Sequence, residues 1–110
     1  IIDTGGATFV SSDGQTVWLT KDKIDIKTLA HWYSKKTDSN YPSLWDIDIK
    51  SLNLKLRVSP MLAEQEVNLQ PMPYWEGSVT IEGTYNDLPV WGEGYVELVK
   101  KKKKYPLKYM

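Results

Sequence analysis

Trp75-Glu76-Gly77-Ser78-Val79-Thr80-Ile81-Glu82-Gly83-Thr84, then Tyr85-Asn86-Asp87-Leu88, then Pro89-Val90-Trp91-Gly92-Glu93-Gly94-Tyr95-Val96-Glu97-Leu98-Val99, is the stretch on which the fold turns. Side chains of two characters alternate with period two on either side of an Asn-Asp pair, the pattern of a long β-hairpin. A turn centred on Asn86-Asp87 sets Val79 opposite Gly94, Ile81 opposite Gly92 and Gly77 opposite Val96. Large-against-small pairing on one face suits a curved sheet, because glycine lets the backbone bend and leaves room for the side chain across from it. The other face collects Glu76, Ser78, Thr80, Glu82, Trp91, Glu93, Tyr95 and Glu97. If that face meets water, its carboxylates are simply solvated. If it lines a cavity, Glu76 and Glu97 sit opposite each other and one of them holds a proton near neutral pH, which suits a general acid.

Upstream the same alternation recurs in shorter blocks. Residues 7–11 and 15–20 read as strands around the tight-turn pair Asp13-Gly14. Residues 21–27 read either as a strand or as one helical turn, and 29–35 as a strand closed by a polar loop over 36–42. Trp45, Ile47 and Ile49 alternate with Asp46, Asp48 and Lys50, and Leu52, Leu54, Leu56 and Val58 alternate with Asn53, Lys55 and Arg57. Each is a strand with one buried face, joined at Lys50-Ser51. Residues 61–70, bounded by Pro60 and Pro71, read as a bent edge strand or a loop. Seven strands in neighbouring antiparallel order predict an all-β fold, an up-and-down barrel or strongly curled sheet rather than a Greek-key sandwich.

The chain has 110 residues, enough for one domain. The net charge of zero hides an asymmetry: Lys100, Lys101, Lys102, Lys103, Lys104 and Lys108 hold six of the fourteen positive charges. Residues 1–99 are left with 8 basic against 14 acidic side chains, a net of −6. Such a body repels phosphate backbones, so no nucleic-acid partner is expected, and residues 100–110 read as a solvated lysine-rich tail. Cysteine is absent, which removes disulfides and thiolate chemistry. His31 is the one histidine and has no companions at metal-ligand spacing, so it reads as a structural or surface residue. No nucleophile elbow, P-loop or dinucleotide fingerprint occurs, and neither metal nor cofactor is called for. Five Trp and seven Tyr against one Phe favour wide cavities with polar-tipped walls, though the same residues also fill β-cores.

Pro73-Tyr74-Trp75-Glu76-Gly77, then Gly83, then Gly92-Glu93-Gly94-Tyr95-Val96-Glu97-Leu98, resembles the closing hairpin of the lipocalin-like family that includes carotenoid 1,2-hydratase and the AttH-type predicted secreted hydrolases. Trp32-Tyr33-Ser34, Tyr41-Pro42 with Trp45, Pro60, and Gln65-Glu66 follow the family order upstream, and Thr4-Gly5-Gly6 with Asp13-Gly14 precedes them. Residues 1–99 are thereby identified as the later part of a second lipocalin-like barrel, incomplete at about seven strands. The resemblance implies an N-terminal lipocalin-like domain of the same protein as partner and an extracytoplasmic location, while seven strands leave an open sheet edge that pairing with another copy, as a homodimer, would satisfy. It further implies a cavity for a hydrophobic, isoprenoid- or lipid-like molecule with Trp32, Trp45, Trp75, Trp91 and Tyr95 as candidate ligand-binding residues. In hydratase members it implies acid-catalysed addition of water to a terminal alkene, for which Glu76 and Glu97 are the candidate catalytic pair. Three readings follow: a lipid-binding domain, part of a hydratase or isomerase, or a packing domain with no ligand of its own.

Overall fold

The structure, a computed structural model, describes residues 5–69 and 71–99. The lysine-rich tail, 100–110, lies outside them. The fold is all-β and antiparallel. Strands β1 (Gly6–Val10) and β2 (Thr16–Thr20) form a separate two-stranded sheet. Strands β3 (Asp25–Ser34), β4 (Ser39–Ile49), β5 (Leu54–Pro60), β6 (Glu66–Val67), β7 (Tyr74–Tyr85) and β8 (Leu88–Val99) form a six-stranded sheet. Its order is β3-β4-β5-β7, with β6 beyond β5 along the same edge of β7 and β8 on the other edge. Among the described residues the sheet does not close. A radius of gyration of 16.3 Å, against about 13 Å for a compact chain of this length, fits an incomplete lipocalin-like barrel.

Local chemistry sets the connections. Gly14 takes φ +85° in the β1–β2 turn, where Ser11 N–H donates to the Gln15 carbonyl and Ser11 Oγ to the Asp13 carboxylate. Asn86 and Asp87 both lie at positive φ, 50° and 66°, the two-residue turn whose twist matches that of its strands. The facing residues of β7 and β8 then run without a break from Tyr85–Leu88 to Tyr74–Val99, including Val79–Gly94, Ile81–Gly92 and Glu76–Glu97.

Three connections differ from the sequence reading. The polar loop expected over 36–42 shrinks to a turn at 35–38, and β4 already runs through Ser39, Tyr41 and Pro42. Pro42 is tolerated because β3 shifts register between Thr28 and His31, so the missing N–H falls where the ladder is irregular. Residues 21–27 divide into a single 3₁₀ turn, Lys21–Lys23, and the start of β3. The 61–70 passage is a bulged continuation of β5: Met61 N–H donates to the Ser78 carbonyl, Glu76 N–H to the Gln65 carbonyl, and Glu66 then pairs with Trp75. Among the described residues there are eight strands where seven were expected, because the 66–67 pairing is too short to leave a periodicity.

Apolar burial falls into two clusters on one face of the sheet. Leu19 from β2 packs with Ile49 and Leu54, joined by Ala7, Phe9, Ile24, Leu52 and Tyr85. Trp45, Val58 and Val79 form the second cluster, with Ile47, Ile81, Val96 and Leu98 against it. The β1–β2 ribbon therefore covers one end of the inner face, and Phe9 meets Tyr85 at 5.5 Å between ring centroids.

Candidate functional site

The inner face is built row by row across the strands. Trp45, Val58, Ile81 and Gly92 form one row, and Ile47, Leu56, Gly83 and Val90 the next. Trp75 and Val79 are the deepest members, with Trp75 wholly buried and its Nε1–H donating to the Ala63 carbonyl at 2.7 Å. Toward β8 the burial relaxes: Ile81, Val90, Val96 and Leu98 are only partly covered, and nothing lies within 4 Å of where a side chain on Gly92 would begin. The expectation that each glycine of this hairpin makes room for its neighbour holds at Gly94, whose Cβ position is 3.1 Å from Ile81 Cδ1. At Gly92 it fails: the space is open.

Past Trp75 the face ends in a carboxylate clamp. β5 leaves β4 after Val58, so the first half of β4 and the short β6 confront each other across a split. Glu66 bridges it. Ser34 Oγ donates to its Oε1 at 2.6 Å, while Thr37 Oγ1 and Tyr41 Oη donate to its Oε2 at 2.6 and 2.7 Å. An ionised carboxylate, which only accepts, can take all three bonds at once. Burial, and then the bond to Glu66, push the Tyr41 phenol up to about 12. Trp32 stacks on Tyr41, with ring centroids 6.2 Å apart and planes 15° from parallel, and beside it opens a pocket of about 340 Å³ lined also by Ser34, Glu64 and Glu66.

The outer face carries the polar half of the last hairpin. Glu76 and Glu97 stand directly opposite each other, as the turn required, on the side away from Trp75 and Val79. Burial and then the negative charges of Glu76 and Glu97 raise the neighbouring Tyr74 phenol above its ordinary value. Trp91 is 86% exposed and Tyr95 65%, so of the two readings open for this face the solvated one fits the described residues. Period two is the reason: a strand that buries Val79, Ile81, Val96 and Leu98 must turn its glutamates outward. The five aromatics expected to line one cavity are thus divided, Trp45 and Trp75 inside, Trp32 half-buried at the clamp, Trp91 and Tyr95 outside.

An open trough of about 790 Å³ crosses the outer face over Asp46, Lys55, Arg57 and Glu82, with Trp91 as one wall. Arg57 makes a two-pronged contact with Asp46, Nε to Oδ1 at 2.8 Å and Nη2 to Oδ2 at 3.0 Å. The bond holds the Asp46 carboxyl below the ordinary carboxylate range. The two side chains remain 51% and 40% exposed, so solvent screens the pair. A double-mutant cycle over Arg57→Ala and Asp46→Ala should give a coupling energy below about 1 kcal/mol that falls further in 1 M salt. A larger value, insensitive to salt, would mean the trough is drier than its exposure indicates.

Sequence reading singled out Trp32 near the clamp and missed Ser34, Thr37, Tyr41 and Glu66 as partners of one another. Three of them lie in the short pieces that carried the family resemblance, 32–34, 41–42 and 65–66. Their convergence over 25 to 32 residues of chain was not visible there. His31 stands in β3 opposite Pro42 and is exposed. Among the described residues no group of three His, Asp or Glu side chains is placed to hold a metal ion.

A family model described as AttH-like matches residues 3–100. Among solved structures, an AttH protein of Nitrosomonas europaea matches with a TM-score of 0.72 and 27% identity, over 84% of this chain and 28% of that one. Kievitone hydratase from Nectria haematococca has the same fold, with a TM-score of 0.72 at 23% identity, over 86% of this chain and 29% of that one. The chain spans less than a third of either structure's length. No curated protein sequence matches it.

Proposed function

This chain belongs to the AttH-like family, and from that premise we propose that it is one wall of a lipocalin-like container that holds a hydrophobic small molecule, of isoprenoid or lipid type, against its inner face. The observation that carries this reading is the graded burial of that face. It is dry at Trp45, Val58, Trp75 and Val79, then opens across Ile81, Val90, Val96 and Leu98 to the unfilled space at Gly92. Apolar surface left half-covered beside a dry floor gains roughly 25 cal/mol for each Å² a ligand removes from water. Binding rather than catalysis is favoured by the polar groups at its end. A general acid works best with a pKa near the working pH. Tyr41 is held at about 12, and Glu66 already accepts three hydroxyl bonds. Glu76 and Glu97, the pair suggested by the hydratase resemblance, stand on the outer face, away from the apolar surface that would hold an alkene.

Tryptophan fluorescence tests the reading. Retinol, a carotenoid and a long-chain fatty acid should each be titrated into the chain and into its Trp91→Phe variant, which removes the most exposed indole. Saturable quenching or a blue shift is expected in both proteins, reported by Trp45 and Trp75. No saturable change across the whole panel would leave the inner face without a lipophilic ligand.

A further inference from the structure

We propose that the pocket beside Trp32 holds the head of the ligand, and that this head is an uncharged, polyhydroxylated ring of sugar type. The proposal rests on the reading of the inner face as a wall for a lipophilic molecule, and adds what stands at the polar end of that molecule.

The pocket belongs to that face. Tyr41, Ser43 and Trp45 are buried in turn along one side of β4, and Glu66 pairs with Trp75. Alternate residues of a strand, and partners directly opposite across two strands, share one face of a sheet. The hollow at Trp32 and Glu66 therefore continues the dry floor at Trp45 and Trp75. Its walls come from two stretches, 32–36 and 64–68. Glu66 ties them together through Ser34, and through Thr37 next to the first stretch. Walls and ties alike are internal to the described residues.

Size and lining then select the head. The volume, about 340 Å³, lies at the lower end of the roughly 300–1,000 Å³ of small-molecule pockets. It takes one ring, and the rest of a lipophilic ligand lies along the floor. Lys35 and Lys36 bring two positive charges to the lining, and Glu64 and Glu66 two negative ones. A charged head of either sign meets like charge as well as opposite charge there, and must also shed its water. A hydroxyl meets no such conflict, because it both donates and accepts. It can accept from the lysine ammonium groups and the Asn68 amide, and donate to the Glu64 carboxylate and the Asn68 carbonyl. Trp32 supplies the flat wall, its ring braced 15° from parallel on Tyr41. Tyr33 alternates to the other side of β3, where its hydroxyl donates to Asp38. One aromatic wall among polar ones matches a sugar ring, which has a C–H face to lay on an indole and hydroxyls around its rim. A phenol would press its second apolar face against charged groups.

Isothermal titration with octyl glucoside, octanoate and octylammonium, each below its critical micelle concentration, holds the tail constant and varies the head. Octyl glucoside should bind tightest, by roughly tenfold, the worth of one or two hydrogen bonds. Glu64 and Asn68 are exposed, so variants there leave the fold alone. Asn68→Ala should weaken octyl glucoside roughly three- to tenfold and leave octanoate unchanged. Glu64→Lys makes the lining net positive and should strengthen octanoate roughly threefold or more, a gain that added salt removes. Equal affinity for the three heads, a lead for either ion, or octyl glucoside binding untouched by Asn68→Ala would each overturn the assignment of the head and leave the apolar wall in place. No binding of octyl glucoside would overturn it as well. The ligand reading is then decided separately by the retinol and carotenoid titrations, whose apolar chains engage the inner face without such a head.

Discussion

Gly83→Ala should cost this domain about 3 kcal/mol or more and lower its melting temperature by roughly 12 °C or more. Gly83 lies in β7 opposite Leu56, in the middle of the sheet. A Cβ there would overlap the carbonyl oxygen of Lys55 and fall within 2.8 Å of its carbon and 2.9 Å of Leu56 Cα. All three atoms are backbone, so no rotamer change relieves the clash and the β5–β7 ladder must part. Against a total stability of about 5–15 kcal/mol, that is a large share. The neighbouring glycines supply controls. Gly94→Ala meets only the tips of Ile81 and Val79, at 3.1 and 3.3 Å, which can rotate, so its cost should be smaller. Gly92→Ala meets nothing within 4 Å and should stay within about 0.5 kcal/mol of the parent. Urea unfolding followed by circular dichroism would rank the three. A Gly83→Ala protein as stable as Gly92→Ala would mean that β5 and β7 are not in close contact.

The second large effect is expected at the clamp. Glu66→Ala leaves the hydroxyls of Ser34 and Tyr41 without an acceptor, in residues that are each 2% exposed. Each stranded donor costs about 1–3 kcal/mol; the sites share one partner and do not add fully, so about 3 kcal/mol is expected in all. Glu66→Gln keeps one acceptor oxygen and should fall between. A pH signature separates this clamp from ordinary packing. The Tyr41 phenol is pushed from 10.0 up to about 12, so the folded state favours its protonated form. That contribution is complete below pH 10 and is lost as pH rises through the interval to about 12. Tyr41→Phe should therefore be less stable than the parent at pH 7, and the difference should shrink in denaturant titrations carried from about pH 9 to 12. An unchanged difference across that interval would remove the Tyr41–Glu66 bond from the stability of the fold.

The hairpin of β7 and β8 was legible to the residue because its information is local. Asn86-Asp87 fixes the turn, period two fixes the faces, and the pairing of Val79 with Gly94 and of Glu76 with Glu97 follows without reference to the rest of the chain. The same local rule misled at Tyr41-Pro42, where a proline normally argues against a strand. Pro42 is in a strand because the β3–β4 ladder is irregular beside it, Ser43 of β4 being left out of the pairing. Glu66 was invisible for a related reason. A lone glutamate in a proline-bounded passage has no period and no spacing that points to Ser34, Thr37 or Tyr41.

By itself, then, the order of residues determined the all-β class, the antiparallel ladder of the last two strands, their directly opposed glutamates, and membership of the AttH-like family. Alternation and turn chemistry act over a few residues and need no tertiary context to be read. Which face of that ladder is inside, and where β5 splits from β4 to admit Glu66, were decided only by the folded chain. Either face carried aromatic rings, and only the burial of Trp75, Val79 and their neighbours against strands distant in the chain chose between them.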